Sequence, residues 1–188
     1  MYLSGHHSLL VDAGILHRDI SINNVMRSRN PDHHLRGFLI DLDLAHHGEK
    51  SSNDAFRTGT APFIALDLLR RSNIQHTWLH DLESFFYVLI WVCVDNPMVK
   101  LKDWTGTREG FRTKYSMIFQ EYDEIVGDFI PEWLPVQELV LEFRTILFPV
   151  AVSQETPAGE KAREEMYNKV ISAFQRKIAS LKLARKPI

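Results

Sequence analysis

Between Leu79 and Val94 the chain is at its most apolar, and from Phe85 to Val94 (Phe85-Phe86-Tyr87-Val88-Leu89-Ile90-Trp91-Val92-Cys93-Val94) it carries no charge at all. Asp95-Asn96-Pro97 ends the run with turn-forming residues, the proline being unable to continue a helix. A helix that is apolar on most of its sides belongs at the centre of a domain, with other elements covering it all round. The spacing therefore predicts a central helix over 79–94. The run is about half as long as a bilayer span requires, so it reads as core. Its Cys93 is the only cysteine in the chain and reads as a buried structural thiol. One cysteine leaves no internal disulfide and fits a reducing compartment, cytoplasmic or nuclear.

The remaining elements read as shorter and mostly helical. Residues 8 to 16 look like the end of a helix, with Gly14 as its stop. Val25-Met26 and Phe38-Leu39-Ile40 flank the turn signal Arg29-Asn30-Pro31-Asp32 and predict a small hairpin. Residues 43 to 62 are polar and rich in Gly, Ser, Thr and Asn, so they read as a loop. A short helix is expected from Ala65 to Arg71, ended by Ser72-Asn73. Two or three more helices are expected between 98 and 150, broken at Gly127-Asp128 and Pro131 to Pro135. Thr156-Pro157 opens a final helix with apolar residues at Ala162, Met166, Val170, Phe174, Ile178 and Leu181, grading into a basic tail. The expected fold class is mainly α with a small β-hairpin, organised as a unit over 1–150 and an amphipathic helix over 151–188.

With 188 residues, 45% apolar and 24% charged, the chain is long enough for one domain with a real core. A net charge of -2 gives no basic field for nucleic acid. The segment Met1 to His7 has neither the basic nor the long apolar region of a signal peptide, so a soluble intracellular protein is expected.

Chemistry concentrates in the loop His17-Arg18-Asp19-Ile20-Ser21-Ile22-Asn23-Asn24. It sets a carboxylate and an amide five positions apart. In one irregular loop that step can present both on the same face, and the pattern H-R-D-x-x-x-x-N resembles the catalytic loop of protein kinases, which implies that Asp19 accepts the proton of a hydroxyl and that Asn24 reaches a metal ion on nucleotide phosphates. The structural alternative is a buried His beside an Arg-Asp surface pair. Further on, the apolar strand Phe38-Leu39-Ile40 delivers Asp41, with Leu42 and Asp43 after it. Asp41 there would serve a magnesium ion, and Asp43 adds a second oxygen ligand. Alone, Asp41-Leu42-Asp43 could be a solvated acidic pair. Asp81, at the start of the apolar helix, could likewise be an ordinary helix-start acid.

Taken in order, His17-Arg18-Asp19-Ile20-Ser21 with Asn24, Leu39-Ile40-Asp41-Leu42-Asp43-Leu44-Ala45, Gly59-Thr60 with Phe63 and Ala65, and His80-Asp81-Leu82-Glu83-Ser84 resemble the fungal-type protein kinase family. Trp104-Thr105-Gly106-Thr107 with Lys114 is similar to that family's later helical region, so the resemblance covers roughly residues 8 to 130. It implies a protein kinase-like C-terminal lobe and an ATP- and Mg²⁺-dependent phosphotransferase acting on Ser or Thr of a protein substrate. Asp19 would be the catalytic base, Asn24 and Asp41 the metal ligands, and Arg18 an organiser of the activation segment. Ser21 stands where most such kinases carry a Lys that steadies the transferred phosphate. His17 and Asp81 would support the loop, and Ala65-Leu66-Asp67 would take the place of A-P-E.

The sequence holds no G-x-G-x-x-G loop and no V-A-I-K-type strand before residue 17, so the expectation is a C-terminal lobe, as a fragment, a truncated chain or a short relative, with apolar surface exposed where another lobe would pack. The purified 188-residue chain is expected to show little or no kinase activity. ATP-dependent phosphorylation by it, abolished in Asp19→Ala, would overturn this. Three other readings stay open. One is a small-molecule phosphotransferase similar to the aminoglycoside and choline kinases, against which Arg18 and the 59–67 stretch speak. Another is a metal-dependent phosphohydrolase using the pairs His6-His7, His33-His34 and His46-His47, none of which has i, i+4 helical spacing. The last is a non-catalytic, pseudokinase-like interaction module, for which Asp19, Asn24 and Asp41 would be needless.

Overall fold

The structure is a computed structural model that describes residues 2–30, 37–47, 58–71, 74–149 and 159–184. In chain order it runs α1 (Tyr2–Ala13), β1 (Ile15–Leu16), β2 (Val25–Arg27), β3 (Gly37–Leu39), β4 (His46–His47), a 3₁₀ turn (Ala61–Phe63), α2 (Leu66–Arg70) and α3 (Trp78–Cys93). There follow α4 (Pro97–Lys100), α5 (Arg108–Phe119), α6 (Tyr122–Gly127), a second 3₁₀ turn (Pro131–Val136), α7 (Gln137–Leu147) and α8 (Glu160–Ala184). The chain is mainly helical with short antiparallel strand pairs.

The central helix predicted over 79–94 is α3, and it is buried on nearly every side. Phe86 meets Phe143 of α7 and Phe148 edge-on at 5.6 and 5.9 Å, and Tyr87 meets Trp104 at 5.3 Å. Large side chains buried in this way each contribute roughly 1.5–3 kcal/mol of transfer free energy, which is why the other elements gather round this helix. At its start the Thr77 N–H donates to His80 Nδ1 at 2.9 Å, satisfying one orphan backbone donor. At its end Val94 bridges Phe129, and Asn96, in the left-handed region at φ 47°, turns the chain into Pro97 and α4.

Helix α1 runs from Tyr2 to Ala13, so the helix end read over residues 8 to 16 is its second half, His6 and His7 lie within it, and Ile15–Leu16 form β1 instead. Gly14, at φ 65°, does end it. The Tyr2 ring lies against Gly37, where a Cβ would sit 2.5 Å from Tyr2 Cε1; this contact joins the front of α1 to β3. The expected hairpin is the β2–β3 ladder, Val25↔Leu39 to Arg27↔Gly37. A second ladder, β1 with β4 (Ile15↔His47, Leu16↔His46), lies partly in the stretch read as loop. Two-residue strands are too short to leave an alternating pattern, so neither was legible. The turn residues Pro31-Asp32, the pair His33-His34, the stop Ser72-Asn73, the cap Thr156-Pro157 and the end of the basic tail lie outside the described residues.

Helix α8 packs on α7 and α1 through Tyr167, Val170 and Ala173. Met166, Phe174 and Leu181 are partly buried as the spacing predicts, while Ile178 is exposed. Among the described residues no helix is long and apolar enough to cross a membrane. Cys93 is buried and unpaired, and burial pushes its thiol up to about 12, which leaves it an unreactive core residue.

Candidate catalytic site

The loop 17–24 leaves β1 and enters β2, so both of its ends are fixed by strand pairing. Inside it Arg18 has φ 69°, a conformation costly for a residue with a Cβ. The support comes from Asp81 in the first turn of α3, which is wholly buried. Its carboxylate accepts from the backbone N–H of His17 at 3.2 Å and of Arg18 at 3.2 Å to both oxygens. It also accepts from His6 Nε2 at 2.8 Å and His76 Nε2 at 2.7 Å. These four donors fill the lone-pair sites a carboxylate offers. Burial alone would raise its pKa, but the adjoining His76 and His6 outweigh it and hold the carboxyl far below the usual range.

A carboxylate can only accept, so His6 donates from Nε2 and, in the neutral ring, its Nδ1 accepts the Tyr167 hydroxyl at 2.6 Å. Tyr167 of α8 thereby selects the His6 tautomer that serves Asp81. His17 follows the same pattern, with Nε2 bonded to the Ile40 carbonyl at 3.1 Å and Nδ1 accepting the Asp19 N–H at 3.4 Å. Burial lowers the His17 pKa against the pull of Asp81.

Asp19 is half-buried between buried neighbours. Asn24 Nδ2 donates to its Oδ2 at 3.0 Å and to its backbone carbonyl at 2.9 Å. The Thr60 N–H and hydroxyl both donate to its Oδ1 at 2.8 Å. With the amide nitrogen so engaged, the Asn24 carbonyl oxygen is the atom left to face a cation. The Ile40 N–H donates to the backbone carbonyl of Asn24 at 3.0 Å, leaving the side-chain Oδ1 free of it and bringing the residue before Asp41 against Asn24. Asp41 is exposed, at φ 62°, and its Oδ1 accepts a long bond of 3.4 Å from the Asp43 N–H. Asp43 sits in the turn closed by Ala45 N–H to Leu42 O at 3.0 Å. Ser21 is 1% exposed and its hydroxyl has no hydrogen-bond partner among the described residues; the same holds for Arg18 Nε. One amide oxygen and one carboxylate suit Mg²⁺, a hard ion that keeps waters and takes phosphate oxygens. Among the described residues no group of three or more His, Cys, Asp or Glu is placed to hold a metal ion.

Gly59 passes behind this carboxylate at φ 117°, with its missing Cβ 3.5 Å from the Arg18 carbonyl and 4.0 Å from Asp19 Oδ1. Only glycine combines that φ with so close an approach. Beyond it the strap to Leu66 is anchored by two residues that sequence reasoning did not assign to the site. Lys114 Nζ donates to the Pro62 and Ile64 carbonyls at 2.8 and 2.9 Å, and the Leu66 N–H donates to Glu83 Oε1 at 2.6 Å. Asp67, the expected acid of this segment, instead pairs with Arg71 at 3.0 Å near the surface.

The histidines under the loop make stability pH-dependent. Burial, reinforced by His76 and opposed by Asp81, lowers the His80 pKa from 6.5 to about 3. Between those values the unfolded chain binds a proton that the folded chain refuses, so stability falls as pH falls below about 6.5. The depressed Asp81 adds a loss of the same sign below its ordinary 3.8. Thermal unfolding should therefore occur at progressively lower temperature from pH 7 to pH 4, with a shallower slope in His80→Gln. A melting temperature constant from pH 7 to 5 would sink this account.

These elements define a mainly helical protein whose polar residues hang on two short strand pairs above a buried acid. Residues 2–93, which span α1 to α3 and hold every predicted site residue, match the model of the fungal protein kinase family. No curated protein matches the chain.

Proposed function

We propose that the chain is the C-terminal lobe of a phosphotransferase of the protein kinase type, whose reaction moves a phosphoryl group from ATP to a Ser or Thr hydroxyl of a protein and which alone has little activity. The observation that carries this reading is the setting of Asp19: one carboxylate oxygen is fixed by Asn24, and the other already accepts an alcohol O–H, that of Thr60. An acceptor hydroxyl needs a proton-accepting oxygen of this kind. Asp19 is the base, Asn24 Oδ1 and Asp41 hold Mg²⁺, and Asp43 lies close enough in sequence to add a carboxylate. Bound Mg²⁺ would neutralise the charge of the nucleotide phosphates. Arg18 and Ser21 shape the loop beside Asp19, and the 59–67 strap, bonded to Asp19 through Thr60, supports a protein acceptor.

The reading is tested by titrating the isotopically labelled chain with Mn²⁺ and ATP. Paramagnetic broadening should appear first at Asn24 and Asp41 and be lost in Asp41→Ala. Unbroadened signals at millimolar Mn²⁺–ATP would overturn it. They would favour a non-catalytic binding module instead, a reading that draws on the exposed apolar side chains Met26, Ile40, Leu42 and Leu44 beside the loop.

A further inference from the structure

We infer that Lys114 is a positioning residue for the acceptor side of this site, clamping the carbonyls of Pro62 and Ile64 so that Thr60 is held against Asp19. The inference rests on the phosphotransfer reading. Lys114 lies on α5, is fully buried, and divides its donors between those two carbonyls. Its ammonium stands 4.1 Å from the Tyr87 ring centroid and 5.1 Å from that of Trp104, faces that attract a cation. Glu83 of α3, which accepts from Leu66 N–H and the Tyr87 hydroxyl, is the opposite charge acting on it.

The local geometry carries the effect to the reacting group. Pro62 and Ile64 flank Phe63, whose ring is buried against Trp91 at 5.3 Å. The turn they form is closed by Phe63 N–H to Thr60 O at 2.9 Å and Ile64 N–H to Ala61 O at 3.4 Å. Fixing the carbonyls at 62 and 64 therefore fixes the turn whose first residue is Thr60, and both Thr60 donors end on Asp19 Oδ1. A buried polar group is retained only where its partners are satisfied, and here the partners are the carbonyls of the strap. Met at 114 would keep the stem and remove the donors.

Amide hydrogen exchange on the whole 188-residue chain, without nucleotide, tests the clamp. In Lys114→Met the Thr60 amide should exchange about tenfold faster or more, while the His17 and Arg18 amides held by Asp81 stay unchanged. Lys114→Arg, which restores a buried cation with several donors, should recover most of the protection. An unchanged Thr60 rate, an equal rise at residues 17–18, or no recovery with Arg would overturn the inference. Should Lys114→Met fail to fold, the wild-type chain decides. At pH 6, below the value of about 7 to which burial lowers Lys114, its ammonium should give a slowly exchanging signal coupled through hydrogen bonds to the Pro62 and Ile64 carbonyl carbons. Absence of that signal overturns the clamp. A failed Mn²⁺–ATP titration with this exchange pattern intact would sink the phosphotransfer reading alone, and unchanged exchange with an intact titration would sink the clamp alone.

Discussion

Asp81→Ala should cost about 3–5 kcal/mol of stability, a large share of the 5–15 kcal/mol that holds a typical domain together. The substitution removes one buried carboxylate and leaves four donors facing a cavity: the His6 and His76 Nε2–H groups and the backbone N–H of His17 and Arg18. Each buried donor left without a partner is penalised by roughly 1–3 kcal/mol, with partial relief where a ring can turn or water enter. The left-handed backbone of Arg18 also loses what holds it, so the loop should loosen before the rest of the chain. Asp81→Asn keeps the shape but turns an N–H₂ toward donors, and should fall between Ala and the wild type. Urea unfolding of the three proteins measures this directly. A loss of less than about 1 kcal/mol in Asp81→Ala would show that the acid is not the keystone of the loop.

How far the sequence reveals this arrangement depends on how local each feature is. Helix α3 was legible to within a residue at each end, because a run buried on all sides is marked by its own composition and by the turn residues after it. The loop 17–24 was legible through residue identity and spacing, since an irregular loop is recognised by what it carries. The acid Asp81 was read through family resemblance, but its partners could not be. His6 lies 75 positions away from it, and Tyr167 lies 161 from His6. Nothing in the neighbourhood of His6 or Tyr167 says that they meet. The same limit explains the strap. Asp67 stood at the expected place by sequence, yet the side chain that is buried there is Glu83, and burial is decided by packing. One local hint did exist: a second acid, two places after Asp81, at the head of a run that is otherwise apolar. Lys114 was noticed through the resemblance alone, because nothing local between Thr113 and Tyr115 marks it as buried.

Glu83 and Lys114 should prove strongly coupled. Glu83→Ala leaves the Leu66 N–H and the Tyr87 hydroxyl without their acceptor and Lys114 without its opposing charge, a loss of about 3–5 kcal/mol. Adding Lys114→Met to that variant removes the stranded cation, so the double substitution should fall short of the sum of the singles by at least about 1 kcal/mol. The effect also has a pH signature. Burial lowers Lys114 from 10.5 to about 7, against the raising influence of Glu83. Without Glu83 the folded-state value drops further, and at pH 6 folding must expel a proton that the unfolded chain keeps. Between the folded and unfolded values the unfolded chain binds more protons, so stability there rises with pH. The deficit of Glu83→Ala relative to wild type should therefore shrink from pH 6 to pH 8, as the wild-type lysine also becomes neutral. Chemical denaturation of the four proteins of the cycle at both pH values measures the coupling and its slope. Additive losses, or a deficit equal at the two pH values, would mean that Lys114 is held by the Pro62 and Ile64 carbonyls alone and that Glu83 serves only the Leu66 end of the strap.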